Sequence, residues 1–159
     1  MMDLWVANAS PIICLAKSGL LDLLIQLPDE LSIPHDVAAE IEAGPTNDPA
    51  RTILQSSAVS LVEVNPAREI LAWDLGKGET SVLTYALVNP GWTALIDDRA
   101  ARKCAISFSI PVKGTLAILL IAKKRGLIDS AEDAIDRLIT SGLRIGDELV
   151  RDFLKQAKK

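Results

Sequence analysis

Asn8, Glu40, Glu79 and Asp98 each fall where the local sequence reads as a strand end, a helix start or a helix that follows an extended piece. Three carboxylates gathered in an otherwise apolar α/β protein repel one another and lose solvation, unless a hard divalent cation joins them. Such a set would hold Mg²⁺ or Mn²⁺ with several waters left on the ion. The ion would lower the pKa of a bound water and neutralise charge on a phosphate. The chemistry that follows is metal-dependent phosphodiester hydrolysis. Asn8 is the neutral member of the set: its amide oxygen is still a ligand but brings no charge. Asp97, beside Asp98, is a further candidate ligand, although alternation along an extended chain turns neighbouring side chains opposite ways. Arg99, Arg102 and Lys103 follow the aspartate pair on one helix, where they meet substrate phosphates or form a solvated face. We assign Ser10, Arg99 and Arg102 to substrate contact.

Every one of these residues also has a purely structural role open to it. Glu79 in a first helical turn is favoured by the helix dipole alone, by roughly 0.3–1 kcal/mol. Asp98 suits an N-cap, Asn8 suits the cap of the helix begun at Pro11, and Glu40 suits a solvated helix face. Other chemistries find no support. Gly76-Lys77-Gly78 has Ser81 where a dinucleotide fingerprint needs its third glycine, and it reads as a turn that brings backbone close to Glu79. No phosphate loop is present, and His35, the single histidine, follows a proline in a loop, which argues against a zinc site or a histidine triad.

The elements that must position these residues alternate. Leu4–Ala7 reads as a strand ending at Asn8, and Ser10-Pro11 as a helix start, with the hydroxyl as cap. Leu20–Leu27 is a short helical stretch, 31–34 a weak extended piece, and Val37–Glu42 a helix ended by Gly44-Pro45. Pro49 opens another helix, and Val59–Val64 is β-branched and alternating, a strand. Glu79–Leu87 is a helix, Thr93–Ile96 a strand, and the run from Asp98 to about Phe108 a helix. After Ile110–Val112, three helices close the chain: Thr115–Arg125, Ser130–Ser141 and Asp147–Lys158. Alternation of this kind predicts a central parallel sheet covered on both faces, with ligands at the carboxyl ends of its strands. The chain reads as one domain over residues 1–159.

Composition bounds the rest. With 49% hydrophobic residues but only three Trp, two Phe and one Tyr, the core must be aliphatic. A formal net charge of -4 leaves no global footprint for nucleic acid, so any phosphate-binding surface is local or works through cations. Cys14 and Cys104 read as buried thiols of a reducing compartment. No leader-like start is seen, and the longest apolar stretch, Thr115–Ala122, is too short to span a bilayer. The expectation is a cytoplasmic protein with no membrane contact.

At these residues the chain resembles the PIN-domain family, small nucleases that include toxins of type II toxin–antitoxin pairs. Trp5-Val6-Ala7-Asn8-Ala9-Ser10-Pro11-Ile12-Ile13 is similar to the family's opening strand, where an aspartate leads into a helix. Val37-Ala38-Ala39-Glu40-Ile41, Gly78-Glu79-Thr80-Ser81-Val82 and Leu95-Ile96-Asp97-Asp98-Arg99 resemble its later acidic motifs in order. Together with Val112-Lys113-Gly114-Thr115-Leu116 and Ile145-Gly146-Asp147-Glu148-Leu149, they resemble one prokaryotic PIN-like subfamily of predicted nucleic-acid-binding proteins across nearly the whole chain. The resemblance implies a three-layer α/β/α sandwich, an acidic pocket for Mg²⁺ or Mn²⁺, cleavage of single-stranded RNA, a homodimer and an antitoxin partner. The chain departs from the family pattern at Asn8. The rival reading is a PIN-like module that grips RNA or a protein without turnover. A phosphoacceptor receiver domain is disfavoured, because neither Asn8 nor Val59–Val64 supplies the acids that fold requires.

Overall fold

Helices and strands alternate along the chain, in a computed structural model that describes residues 2–158. Five strands, β1 (Leu4–Ala7), β2 (Glu30–Pro34), β3 (Val59–Val62), β4 (Trp92–Leu95) and β5 (Val112–Lys113), form one sheet in the order β3-β2-β1-β4-β5. Every neighbouring pair is parallel, and β1 is registered on β4 with Ala7 opposite Leu95. The chain therefore runs outward from β1 to β3, crosses back, and runs outward the other way through β4 and β5. The strand order reverses between β1 and β4, and the crevice for a ligand opens there.

The helices are α1 (Ala9–Lys17), α2 (Leu23–Gln26), α3 (His35–Ala43), α4 (Arg68–Leu71), α5 (Lys77–Val88), α6 (Arg99–Ser107), α7 (Thr115–Lys124), α8 (Ala131–Thr140) and α9 (Asp147–Ala157), with a 3-10 helix at Pro49–Gln55. Right-handed crossovers in the two outward directions cover opposite faces of the sheet, which makes the three-layer α/β/α sandwich. α1 packs on α3 and the 3-10 helix, whereas α5 lies against β1, β2 and β4. α3 touches both α1 and α5. That contact lets a residue of α3 reach the start of α5.

The core is aliphatic as the composition required, with Val6, Ile12, Leu15, Ile33, Leu83, Leu95, Ile96 and Ile118 fully buried. Each such side chain contributes about 1.5–3 kcal/mol on leaving water. Burial, rather than helical propensity, must hold α2 and α4, which at four residues each fall far below the length at which a helix persists alone.

Several local readings change. α1 begins at Ala9, so Ser10 lies inside its first turn and does not cap it. Gly76 is the N-cap of α5, and Lys77 and Gly78 belong to the helix rather than to a preceding turn. α4 has no counterpart in the predicted elements: buried Ile70 anchors a segment too short to show a helical period. Gly19 does close α1 in the left-handed region, at φ +72°.

Candidate functional site

The first corner of the crevice is built on Asn8. β1 delivers it at the strand end, where its backbone N–H donates to the Leu95 carbonyl of β4 at 3.1 Å. It occupies the N-cap position of α1, yet its side chain makes no capping bond. Asn8 is 5% exposed and its Oδ1 has no hydrogen-bond partner, one of two such buried side-chain atoms among the described residues. The other is the indole nitrogen of Trp5 in the same strand. A buried acceptor left unpaired costs about 1–3 kcal/mol.

Glu40 reaches the same point from α3. Its Oε1 accepts the Gly78 N–H at 3.1 Å, so an α3 carboxylate satisfies a free N–H at the start of α5. A Cβ placed on Gly78 would stand 2.5 Å from Glu40 Oε1 and 3.0 Å from Asn8 Oδ1. The missing side chain is therefore the space that lets the two oxygens approach. Burial raises the Glu40 carboxyl above its ordinary pKa, the Gly78 N–H opposes that rise, and the charges of Glu79 and Asp36 add to it. Asp36, one turn before Glu40 on α3, is fixed by the Ser81 hydroxyl of α5, which donates to its Oδ2.

Glu79 and Asp98 both serve helix ends. Glu79 Oε2 accepts the Gly76 N–H at 3.0 Å, bending back along its own helix. Asp98 caps α6, its Oδ2 accepting the Ala101 N–H at 3.0 Å, and its side chain is exposed. Arg99 and Lys103 are exposed on the same helix.

The second corner is built on Asp97, which turns away from Asp98 as strand alternation predicts. Its two oxygens accept the Thr115 N–H at 2.8 Å and the Thr115 hydroxyl at 2.6 Å, tying the end of β4 to the start of α7. Arg102 donates to the Ile96 carbonyl at 3.1 Å. A Cβ on Gly114 would lie 2.8 Å from Asp97 Oδ1 and 2.9 Å from an Arg102 terminal nitrogen. Burial and then the Asp97 charge push the Cys14 thiol up, while the Ser10 side chain and Lys17 pull it down. Cys14 of α1 thus sits within the field of the second corner, with the Ser10 side chain beside it.

The structure therefore joins Asn8, Glu40 and, through its field, Glu79 at one corner, and Asp97 and Arg102 at another. Among the described residues no three His, Cys, Asp or Glu side chains are grouped to hold a metal. The Asn8 amide oxygen is a further donor beside Glu40. A magnesium-type ion needs only one or two carboxylates when waters fill its remaining positions. An orphaned amide oxygen and a carboxylate converging on one glycine form a hard-oxygen donor pair that fits such an ion. Gly78, Asp36, Gly114 and Thr115 were not among the candidate site residues, although the sequence already marked Gly76-Lys77-Gly78 as a close approach of backbone to Glu79.

A parallel sheet with a polar crevice at its switch point defines an α/β sandwich protein with its ligand site at the strand ends. A family model described as PIN domain matches residues 4–159, and the chain belongs to the PIN-domain family. No curated protein matches the chain. No helix of the described residues is long and apolar enough to cross a membrane.

Proposed function

We propose that this PIN domain is a Mg²⁺- or Mn²⁺-dependent endoribonuclease of single-stranded RNA, of the toxin type, working as a homodimer held in check by an antitoxin protein. The observation that carries the catalytic part is the meeting of Asn8 Oδ1 and Glu40 Oε1 over Gly78. These two atoms would hold the ion. When bound, the ion would supply an acidified water and charge neutralisation at the phosphate. Glu40, with its raised pKa, gains most from a cation, since ionised Glu40 now faces Glu79 and Asp36. Glu79, Asp97 and Asp98 add negative charge around the crevice, and Ser10, Arg99 and Arg102 contact the RNA backbone. The toxin role rests on family resemblance.

The test is cleavage of labelled single-stranded RNA with Mn²⁺, with chelator, and with Glu40→Gln. Cleavage that needs Mn²⁺ and disappears in Glu40→Gln supports the ribonuclease; equal cleavage in all three samples removes it. A second reading, an RNA-binding PIN domain without turnover, is favoured by the neutral Asn8 and by the helix-capping engagement of Glu79 and Asp98. It expects chelator-resistant RNA binding and no cleavage.

A further inference from the structure

We propose that the cavity between the carboxyl ends of β4 and β5 and the 143–149 segment is a nucleotide subsite, which seats one base and its phosphate from a single-stranded RNA. The proposal rests on the RNA reading above and names where the strand is gripped. The cavity measures about 390 Å³, within the roughly 300–1,000 Å³ of small-ligand sites. Leu116, Leu143, Ile145 and Leu149 line it, and Arg102 and Arg144 stand among them. Leu149 is 57% exposed, an apolar side chain left facing water beside two cations.

Three features give the cavity its ligand chemistry. Gly114 supplies a floor without a side chain, and a Cβ there would crowd both Asp97 and Arg102. Asp97, the one acid in the lining, has both oxygens engaged by Thr115, so its acceptors are turned to α7. Arg102 uses a single terminal nitrogen on the Ile96 carbonyl, which leaves most of its five donors for a ligand. Among the described residues, Arg102 and Arg144 make no ion pair, whereas Arg125 pairs with Asp3 and Arg137 with Asp133. In a chain of net charge -4, two guanidinium groups outside any ion pair, over leucine walls, favour an anion that carries a flat apolar body. Guanidinium forks match phosphate, and their planes stack on bases. A nucleotide has both parts; inorganic phosphate leaves the apolar walls unused.

The measurement is fluorescence anisotropy of a short labelled single-stranded RNA in chelator, at several salt concentrations, with an abasic strand for comparison. Arg144→Ala, at an exposed position, should bind about tenfold more weakly, with a salt slope smaller by about one. Arg102→Ala should behave alike. Leu149→Asp should weaken binding of the full RNA more than of the abasic strand, because it removes a wall for the base. Wild type that fails to bind RNA in chelator, or variants within twofold of wild type, would overturn the proposal, as would preference for an acidic peptide over the RNA. Glu40→Gln separates the two readings: cleavage insensitive to Arg144 keeps the ribonuclease and removes the subsite. Arg144-dependent binding without any Mn²⁺-dependent cleavage does the reverse.

Discussion

Asn8 Oδ1 and Glu40 Oε1 meet over Gly78, at 3.0 Å and 2.5 Å from the place where its Cβ would stand. One oxygen comes from the end of a strand, the other from a helix that touches both helical layers, and both depend on a residue with no side chain. The amide oxygen has no partner, and the carboxylate has one N–H. The geometry of the corner makes the following outcomes testable.

Gly78→Ala inserts a methyl group where Glu40 now sits. A carboxylate at the end of a flexible side chain can move, so the fold should survive. Alanine is the better helix former by about 0.8–1 kcal/mol, which offsets part of the crowding. The expected result is a melting temperature within a few degrees of wild type and at least about tenfold weaker Mn²⁺ binding by calorimetry, as for loss of a group that orients a ligand. Unchanged Mn²⁺ affinity would dismiss this corner as the ion's seat.

Asn8→Asp adds a second carboxylate beside Glu40. Like charges at short range destabilise each other, so the metal-free variant should melt below wild type in chelator. Mn²⁺ should then raise its melting temperature by more than it raises that of wild type. If the scaffold is competent, cleavage should also increase. A variant whose stability ignores both chelator and Mn²⁺ refutes the convergence of positions 8 and 40.

Glu40 has its carboxyl pKa raised, first by burial and then, against the Gly78 N–H, by Glu79 and Asp36. The protonated form is thus the one the metal-free fold favours. That stabilisation is complete below the ordinary glutamate range and is lost as pH rises through the raised folded pKa. In chelator, Glu40→Gln should therefore gain stability relative to wild type as pH climbs from the ordinary glutamate range to neutrality. Paired thermal melts across that range measure the difference. A flat difference would contradict the assigned cause.

Cys14 lies in the field of Asp97, which adds to the effect of burial in raising its thiol pKa. Asp97→Asn keeps an acceptor for Thr115 while removing the charge. Alkylation of Cys14 near pH 8 should accelerate several-fold, in proportion to the thiolate released. Cys104, raised by burial alone, should not respond. Equal acceleration at both cysteines would indicate loosening of the fold and not loss of a charge.

Much of this protein is legible in local sequence. Ser-Pro and Asp-Asp-Arg mark helix starts, Gly19 marks a helix end, and short apolar runs mark β1 and β4, because caps, breakers and periodicity act over a few residues. The aliphatic core follows from composition, and the polar residue at each junction from order alone. Tertiary structure decided the rest. The β3-β2-β1-β4-β5 order set Asn8 next to β4, and packing of α3 on α5 carried Glu40 to Gly78 across 38 positions. Packing of α7 on β5 and α9 carried Thr115 to Asp97 across 18 positions and brought Arg144 towards Arg102. None of these is a local preference. Each depends on which faces the chain must bury together, and that is settled only when distant segments compete for the same core.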